Sequence, residues 1–337
     1  MDVNFLVRVS CKTFNHSPYI EDAMNGFCMQ ETTFPFVCTI LDDASTDGEP
    51  EVIKKYLLEH FDLDNKNVVR NEETDDYVMT FAQHKTNKNC YFAVYFLKYN
   101  HYSIKKTKMQ YIKEWQDQVK YIAICEGDDY WVDSEKIHKQ VDFLDNNPKY
   151  SMCFHNAGIK REKVVVGTCM SKKVEDRDYN GNELFFNWIV PTCSILYRKT
   201  VNNFLTKGTD RILYGDIVIV LKCASAGLVR GFSQKMSIYR VHSNGVSHNE
   251  DYFKKSVYRK VAHYKFILDN FYSIVEKKNV YYHISSAYLD IFKFEKALSL
   301  NAWKCLFLSL LYNPKVIFVR IINKFLRIFK FSCMRKS

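Results

Sequence analysis

Two apolar runs in this chain end abruptly in carboxylates, and that pattern limits the possible folds more than any other feature. Phe36-Val-Cys-Thr-Ile-Leu41 runs straight into Asp42-Asp-Ala-Ser-Thr-Asp-Gly48, and Tyr121-Ile-Ala-Ile-Cys125 runs into Glu126-Gly-Asp-Asp-Tyr-Trp131. Short, continuously apolar runs bounded by turn residues read as strands covered on both faces. Phe5-Leu-Val-Arg-Val-Ser-Cys11 reads the same way. It is followed by turn chemistry at Asn15-His-Ser-Pro18 and a helical pattern through Tyr19, Ile20, Ala23, Met24 and Phe27. A second helix is expected through Val52, Ile53, Tyr56 and Leu57. A third starts at Asp133 or Ser134, either a good N-cap, and carries Ile137, Val141, Phe143 and Leu144. Asn67-Val-Val-Arg70 reads as a further short strand. Strand, loop, helix, strand is the signature of a parallel sheet covered by helices, in which ligands bind beyond the C-terminal strand ends. Both acidic clusters fall at such ends.

The remainder is less periodic. Residues 74–118 are rich in Tyr, Phe, Lys and Asn without a clean period; a crossover helix is expected over 105–118. Strands are expected at 151–155, 164–166, 193–198 and 235–242, a helix at 216–226, and helices from Asp251 to the end. The expected organisation is an α/β domain over 1–250 and a helical region over 251–337.

Composition narrows the class. Of 337 residues, 47% are hydrophobic and 26% charged, which is a folded globular chain and not a disordered one. The 11 cysteines contain no C-x-x-C, so zinc-ribbon and thioredoxin readings find no support. Scattered thiols, with no basic-then-apolar leader at the N-terminus, lead us to expect a cytoplasmic location. The net charge of +10 is unevenly held: residues 252–337 carry 17 Lys/Arg against 4 Asp/Glu, leaving the first 251 residues at −3. A nucleic-acid binder would not be expected to segregate its charge in this way.

Adjacent carboxylates at a strand end suit a hard cation. Asp128 and Asp129, preceded by Gly127, could hold Mg²⁺ or Mn²⁺ together with substrate phosphates. A bare Asp-Asp is more often a solvated pair or a helix cap; the second acidic cluster at a neighbouring strand end shifts the balance. Asp216 after Gly215 could be a helix cap or a general base. His242 could be a structural hydrogen-bonder or a cation ligand. Trp131 reads as packing, and Pro191-Thr-Cys-Ser194 could face an acceptor.

Val9-Ser-Cys-Lys-Thr-Phe-Asn15, Leu41-Asp-Asp-Ala-Ser-Thr-Asp47 and Cys125-Glu-Gly-Asp-Asp-Tyr-Trp131 resemble, in order, the three N-terminal motifs of family 2 glycosyltransferases. Gly215-Asp216 and Tyr239-Arg-Val-His242 resemble two later landmarks, so the resemblance covers roughly 3–250. It is similar to the bacterial type that builds capsular or lipopolysaccharide glycans. The resemblance implies a Rossmann-like nucleotide-diphospho-sugar transferase sheet (the GT-A fold) with flanking helices, followed here by a helical C-terminal extension. It implies a metal-dependent, inverting transfer of a sugar from a nucleotide diphosphate-sugar, by family habit a UDP-sugar, to a glycan or lipid-linked acceptor. It implies that Thr13 and Phe14 line the base pocket. Asp43 accepts a hydrogen bond from the base, and Asp42 supports its loop. Asp128 touches the ribose or the metal, Asp129 binds Mn²⁺ or Mg²⁺, His242 contacts the metal or a phosphate, and Asp216 is the general base. The sequence departs from the family between Arg70 and Tyr121, where His84 or Lys85 could take over a phosphate contact, although a solvated insertion is the simpler reading.

Two alternatives compete. A sugar nucleotidyltransferase would carry a glycine-rich loop after the first strand, where this chain has Lys12-Thr-Phe-Asn-His-Ser-Pro18. A non-catalytic membrane-surface scaffold would have little need for Asp43, Asp128, Asp129 and Asp216 together. Finally, residues 301–337 hold eight Lys/Arg and no acid. Over 315–331, basic Arg320, Lys324, Arg327 and Lys330 face away from Ile317, Ile321, Phe325 and Ile328. That is the pattern of a helix lying on anionic lipid, too interrupted by charge to span a bilayer, and it predicts a peripheral position on the inner face of the cell membrane.

Overall fold

The computed structural model describes residues 3–161, 164–166, 170, 172–242, 250–296 and 299–320. The amphipathic pattern over 321–331 lies outside these residues. Elements follow in chain order: β1 (Val7–Thr13), α1 (Ile20–Cys28), β2 (Phe36–Asp42), α2 (Glu49–His60), β3 (Phe61–Asp62), β4 (Arg70–Glu73), β5 (Tyr77–His84), β6 (Cys90–Leu97), α3 (Lys113–Gln118), β7 (Tyr121–Ile124), β8 (Tyr130–Trp131), α4 (Lys136–Asn146), β9 (Tyr150–Arg161), β10 (Val164–Val166), β11 (Asp178–Tyr179), α5 (Gly181–Asn187), β12 (Leu196–Arg198), α6 (Gly215–Ala226), β13 (Leu228–Val241), α7 (Glu250–Phe271), α8 (Lys277–Phe294) and α9 (Leu300–Tyr312).

Two compact units emerge. The first comprises Met1–Asn180, Asn187–Phe204 and Lys222–His242; the second comprises Gly181–Phe186, Leu205–Leu221 and Ser243–Ser337. The first unit holds one mixed sheet, ordered β11-β13-β9-β12-β7-β1-β2-β6-β5-β3. At its centre β7, β1, β2 and β6 run parallel, so their C-terminal ends share one edge. Every residue of β2 is buried, as expected of a parallel strand covered on both faces. Ile20, Ala23, Met24 and Phe27 of α1, Ile53 and Leu57 of α2, and Ile137, Val141 and Leu144 of α4 join that core. The second unit contains α5, the first turns of α6, and α7 to α9.

The segment 74–118 corrects the sequence expectation. It forms the antiparallel strands β5 and β6, and only Lys113–Gln118 of the expected crossover helix is helical. Lys105 takes a left-handed φ of 56°, which a helix does not admit, and the Lys106 and Lys108 ammonium groups are drawn to Asp76 and Asp43. The strand expected at 67–70 begins only at Arg70. The Asn65 side chain and carbonyl capture the amides of Asn67 and Val68 first, a local bond that competes with a ladder. Both His84 and Lys85 lie at the far end of β5, which pairs antiparallel to β6 and so ends at the opposite sheet edge from Asp42. The Lys85 ammonium donates to the Leu58 and Glu59 carbonyls near the end of α2, where a cation suits the helix terminus. Neither residue stands at the acidic edge.

Candidate active site

The C-terminal ends of the parallel strands β1, β2 and β7 gather the acidic loops. The ladder continues past the strand ends: Gly127 N donates to Lys12 O at 3.1 Å, and Asp43 N to Thr13 O at 3.1 Å. Three segments far apart in sequence are thereby drawn to one place. Gly127 is required there, because a β-carbon would lie 2.2 Å from Thr13 Oγ1. Gly26 is required for a related reason: its β-carbon would meet the Trp131 amide at 2.9 Å, so α1 seats directly on the acidic loop. Gln30 pins that contact, donating to Gly26 O and Asp133 O and accepting from Ile137 N. Trp131 is buried, and its indole donates to Cys193 O at 2.9 Å, so it packs and does not face a ligand. Cys193 and Ser194 are buried as well.

Thr13 is buried and Phe14 is exposed. The Thr13 hydroxyl donates to Glu49 and lies 3.1 Å from His16 Nδ1. Glu49 also accepts from His16 N at 2.9 Å and Ser45 Oγ at 2.8 Å. Asp42 Oδ1 accepts from Ser45 N at 3.2 Å, and burial pushes its carboxyl up to about 6. Asp43 is buried and already well occupied. Its Oδ1 accepts from His101 N at 2.8 Å, its Oδ2 from Tyr102 N at 3.1 Å, and the Lys108 ammonium pairs with it. A carboxylate offers about four acceptor positions, so little is left for a ligand.

Asp128 and Asp129 face different surroundings. Asp129 is buried and accepts from Arg240 N at 2.9 Å; burial, and then the charge of Asp128, push its carboxyl well above the usual range. Asp128 turns to a more open position. Burial would raise it too, but a hydrogen bond with His242 and the proximity of His16 hold it below the usual range. Its Oδ2 lies 3.1 Å from His242 Nε2 and 3.8 Å from His16 Nε2. Arg240 frames the group from behind, donating to Asp128 O at 2.9 Å and pairing with Asp22, its guanidinium over the Tyr19 and Tyr130 rings.

Of the residues singled out in the sequence, Thr13, Asp42, Asp43, Asp128, Asp129 and His242 therefore share one edge of the first unit. Asp216 lies in the second unit, in the first turn of α6, where its Oδ1 accepts from Ile217 N at 2.9 Å. Sequence reasoning passed over His16, Glu49, Lys108 and Arg240. His16 carried a signal, three residues after the end of β1, and Arg240 stood inside the Tyr239–His242 motif.

The donor set fits a divalent cation. The ligand atoms of His16, Asp128 and His242 lie within 4.8 Å of one another, and His242 Nδ1 is buried without a hydrogen-bond partner.

No family model matches the sequence. The proteins Rv1520 of Mycobacterium tuberculosis (strain H37Rv) and Mb1547 of Mycobacterium bovis, both named as uncharacterized, are 26% identical to this chain over 237 residues, 70% of this chain and 59% of theirs. The chain thus spans about 59% of the length of the curated relatives it matches. Among solved structures, S. aureus TarS 1-349 in complex with UDP-GlcNAc is similar at a TM-score of 0.53, covering 91% of this chain and 80% of that one at 13% identity. The same protein in complex with UDP gives 0.51, over 93% and 82%, also at 13% identity. The fold is the GT-A arrangement expected from the sequence, a mixed α/β sheet with flanking helices. At such identity the likeness concerns the arrangement of the sheet and its helices, followed here by the C-terminal helices, and no residue is carried across.

Proposed function

We propose that this chain is a metal-dependent glycosyltransferase of the family 2 type, taking a sugar from a nucleotide diphosphate-sugar, a UDP-sugar foremost, to a glycan or lipid-linked acceptor in cell-surface polysaccharide synthesis. The observation that carries the reading is the convergence of Thr13, Asp43, Asp128 and His242 at one strand edge, in a fold shared with a protein solved with UDP-GlcNAc. Thr13 and Phe14 would line the base, and the remaining acceptor position of Asp43 would meet a base N–H. Asp42 would support that loop, and Asp128 would meet the ribose or the cation. Asp129 and His242 would hold the cation, Mn²⁺ or Mg²⁺, which when bound neutralises charge on the departing diphosphate. Asp216 would take the proton of the acceptor hydroxyl as it attacks, and a single displacement of this kind inverts the anomeric centre.

Two features support a place at the membrane surface. The chain carries eight Lys/Arg and no acid over 301–337. Leu300, Trp303, Phe307 and Leu311, spaced three or four residues apart on α9, are all more than half exposed. The attachment proposed is peripheral, through basic groups and exposed apolar side chains; among the described residues no helix is long and apolar enough to cross a membrane. Flotation with anionic vesicles, comparing the full chain with one ended before Pro314, tests the tail; equal flotation would defeat it.

The donor reading is tested by melting curves with UDP, GDP and dTDP, each with and without Mn²⁺, on wild type and Asp128→Asn. A ligand at a hundredfold its dissociation constant stabilises by about 2.7 kcal/mol. One nucleotide should act on wild type with metal, and its effect should fade in the variant. A flat panel would sink the reading.

A further inference from the structure

We propose that His16 is a direct cation ligand alongside Asp128 and His242, and that this two-imidazole, one-carboxylate set takes a first-row transition ion such as Mn²⁺ in preference to Mg²⁺. The inference rests on the cation-site reading above and refines it in two respects: it adds a ligand from the β1 loop, and it assigns the carboxylate to Asp128.

Ser45 Oγ accepts from Asn15 N at 2.8 Å, so its own proton goes to Glu49 at 2.8 Å. The amide of His16 donates to the same Glu49 oxygen, and the Thr13 hydroxyl donates to the other. Three donors converge on Glu49, a set that only a carboxylate accepts in full. Thr13 has one hydroxyl proton and spends it there. The 3.1 Å contact between Thr13 Oγ1 and His16 Nδ1 is then made by a proton on Nδ1. In the neutral ring that leaves the Nε2 lone pair aimed at Asp128.

A lone pair facing a carboxylate oxygen is unfavourable unless a positive centre, a proton or a bound cation, stands between them. The His16 Nε2 to Asp128 Oδ2 distance, 3.8 Å, is too long for a hydrogen bond. It is close to what two ligands of one ion require: at bond lengths of about 2.1 Å, neighbouring donors stand about 3.0 Å apart at right angles and about 3.4 Å apart at the tetrahedral angle. His242 Nε2 closes the third side, 3.1 Å from the same oxygen, where a bound cation would take the place of the proton shared with Asp128; its ring is nearly perpendicular to that of His16 at 88°. Outer-sphere hydrogen bonding of this kind, here Glu49 to Thr13 to His16, fixes the tautomer of a ligating imidazole. Imidazole nitrogen favours transition ions, whereas Mg²⁺ keeps to oxygen.

The test uses the full chain with Mn²⁺ in the presence and absence of UDP, read by electron spin resonance. The free-ion signal gives affinity, and electron spin-echo modulation counts directly bound ¹⁴N. Wild type should show two imidazole nitrogens, and His16→Ala one, with affinity at least tenfold weaker. Mg²⁺ should displace Mn²⁺ only at hundredfold or greater excess. Thr13→Val, which removes the acceptor for Nδ1–H and leaves every ligand in place, should weaken Mn²⁺ about tenfold without altering the nitrogen count. Melting curves confirm that each variant is folded. If wild type binds UDP with Mn²⁺ yet shows a single nitrogen, or if Mg²⁺ competes equally, the proposal falls while the donor-site reading stands. If UDP does not bind at all, the reading beneath it falls as well.

Discussion

The hydroxyl of Thr13, at the last position of β1, donates to the carboxylate of Glu49, the first residue of α2. Through that bond the end of one central strand is tied to the helix that follows its neighbour. Glu49 is fully buried and accepts from three groups. Glu49→Ala would leave those donors without their partner. At about 1 kcal/mol for each hydrogen bond lost, the expected cost is about 3 kcal/mol, seen as a melting temperature several degrees lower. Nucleotide binding in the presence of Mn²⁺ should weaken in parallel, because the β1 loop loses its anchor. An unchanged melting curve would show that the network is peripheral to stability.

Gly127→Ala tests the close approach of the acidic loop to β1. A methyl group there would stand 2.2 Å from Thr13 Oγ1 and 2.7 Å from its β-carbon, atoms of a short buried side chain that cannot swing clear. Overpacking of this kind costs about 1–3 kcal/mol. The same displacement would move Asp128 away from His16 and His242. Urea denaturation and Mn²⁺ titration should both report loss. Wild-type metal affinity in a destabilised variant would show that the loop tolerates the shift.

Buried Asp43, paired with the half-buried Lys108, holds the loop 101–108 to the strand edge. Asp43→Ala removes a carboxylate that takes two backbone amides and an ammonium. At about 1.5–3 kcal/mol for each hydrogen bond to a charged group, the expected cost is a few kcal/mol. The local signature is more telling than the total: hydrogen exchange at the His101 and Tyr102 amides should rise well beyond that of the β1 and β2 amides. Uniform acceleration throughout the first unit would instead mean global loosening.

The parallel core was readable because its strands are short, apolar and closed by turn residues, and because each acidic cluster follows such a strand directly. β2 has all seven residues buried and no competing pattern. The segment 74–118 was not readable as strands. β6 is buried at nearly every position and so lacks alternation, while β5 alternates only along its first five residues. The first part of its expected helix instead sends Lys106 to Asp76 and Lys108 to Asp43, residues distant in sequence. In the site, the carboxylates announced themselves by type and spacing. Glu49 did not, because an acid at the first position of a helix is ordinary, and its burial is a tertiary fact. Arg240 likewise draws its meaning from Asp22 and Asp128, which no local pattern connects to it.

Lys136 offers a pH test beside the acidic loop. Its side chain is fully buried, its ammonium donates to Gln140 Oε1 at 2.7 Å, and it lies 4.1 Å from the Trp131 ring centre. Burial lowers its pKa to about 8. A lysine depressed in the folded state is charged there only at a cost, and that cost is greatest below pH 8, where both folded and unfolded chains carry the proton. Between pH 8 and the ordinary lysine range near 10.5 the unfolded chain holds the proton that the folded chain has released, so this residue makes stability rise with pH. The cost removed over that window is about 3 kcal/mol. Lys136→Met keeps the length of the chain and removes the charge, at the expense of an unpaired Gln140 oxygen worth about 1–3 kcal/mol. The variant should therefore match or slightly exceed wild type in stability at pH 7 and fall behind it by pH 10. Chemical denaturation of both proteins across that range reads the difference directly, and a gap that does not move with pH would mean that Lys136 titrates as if in water.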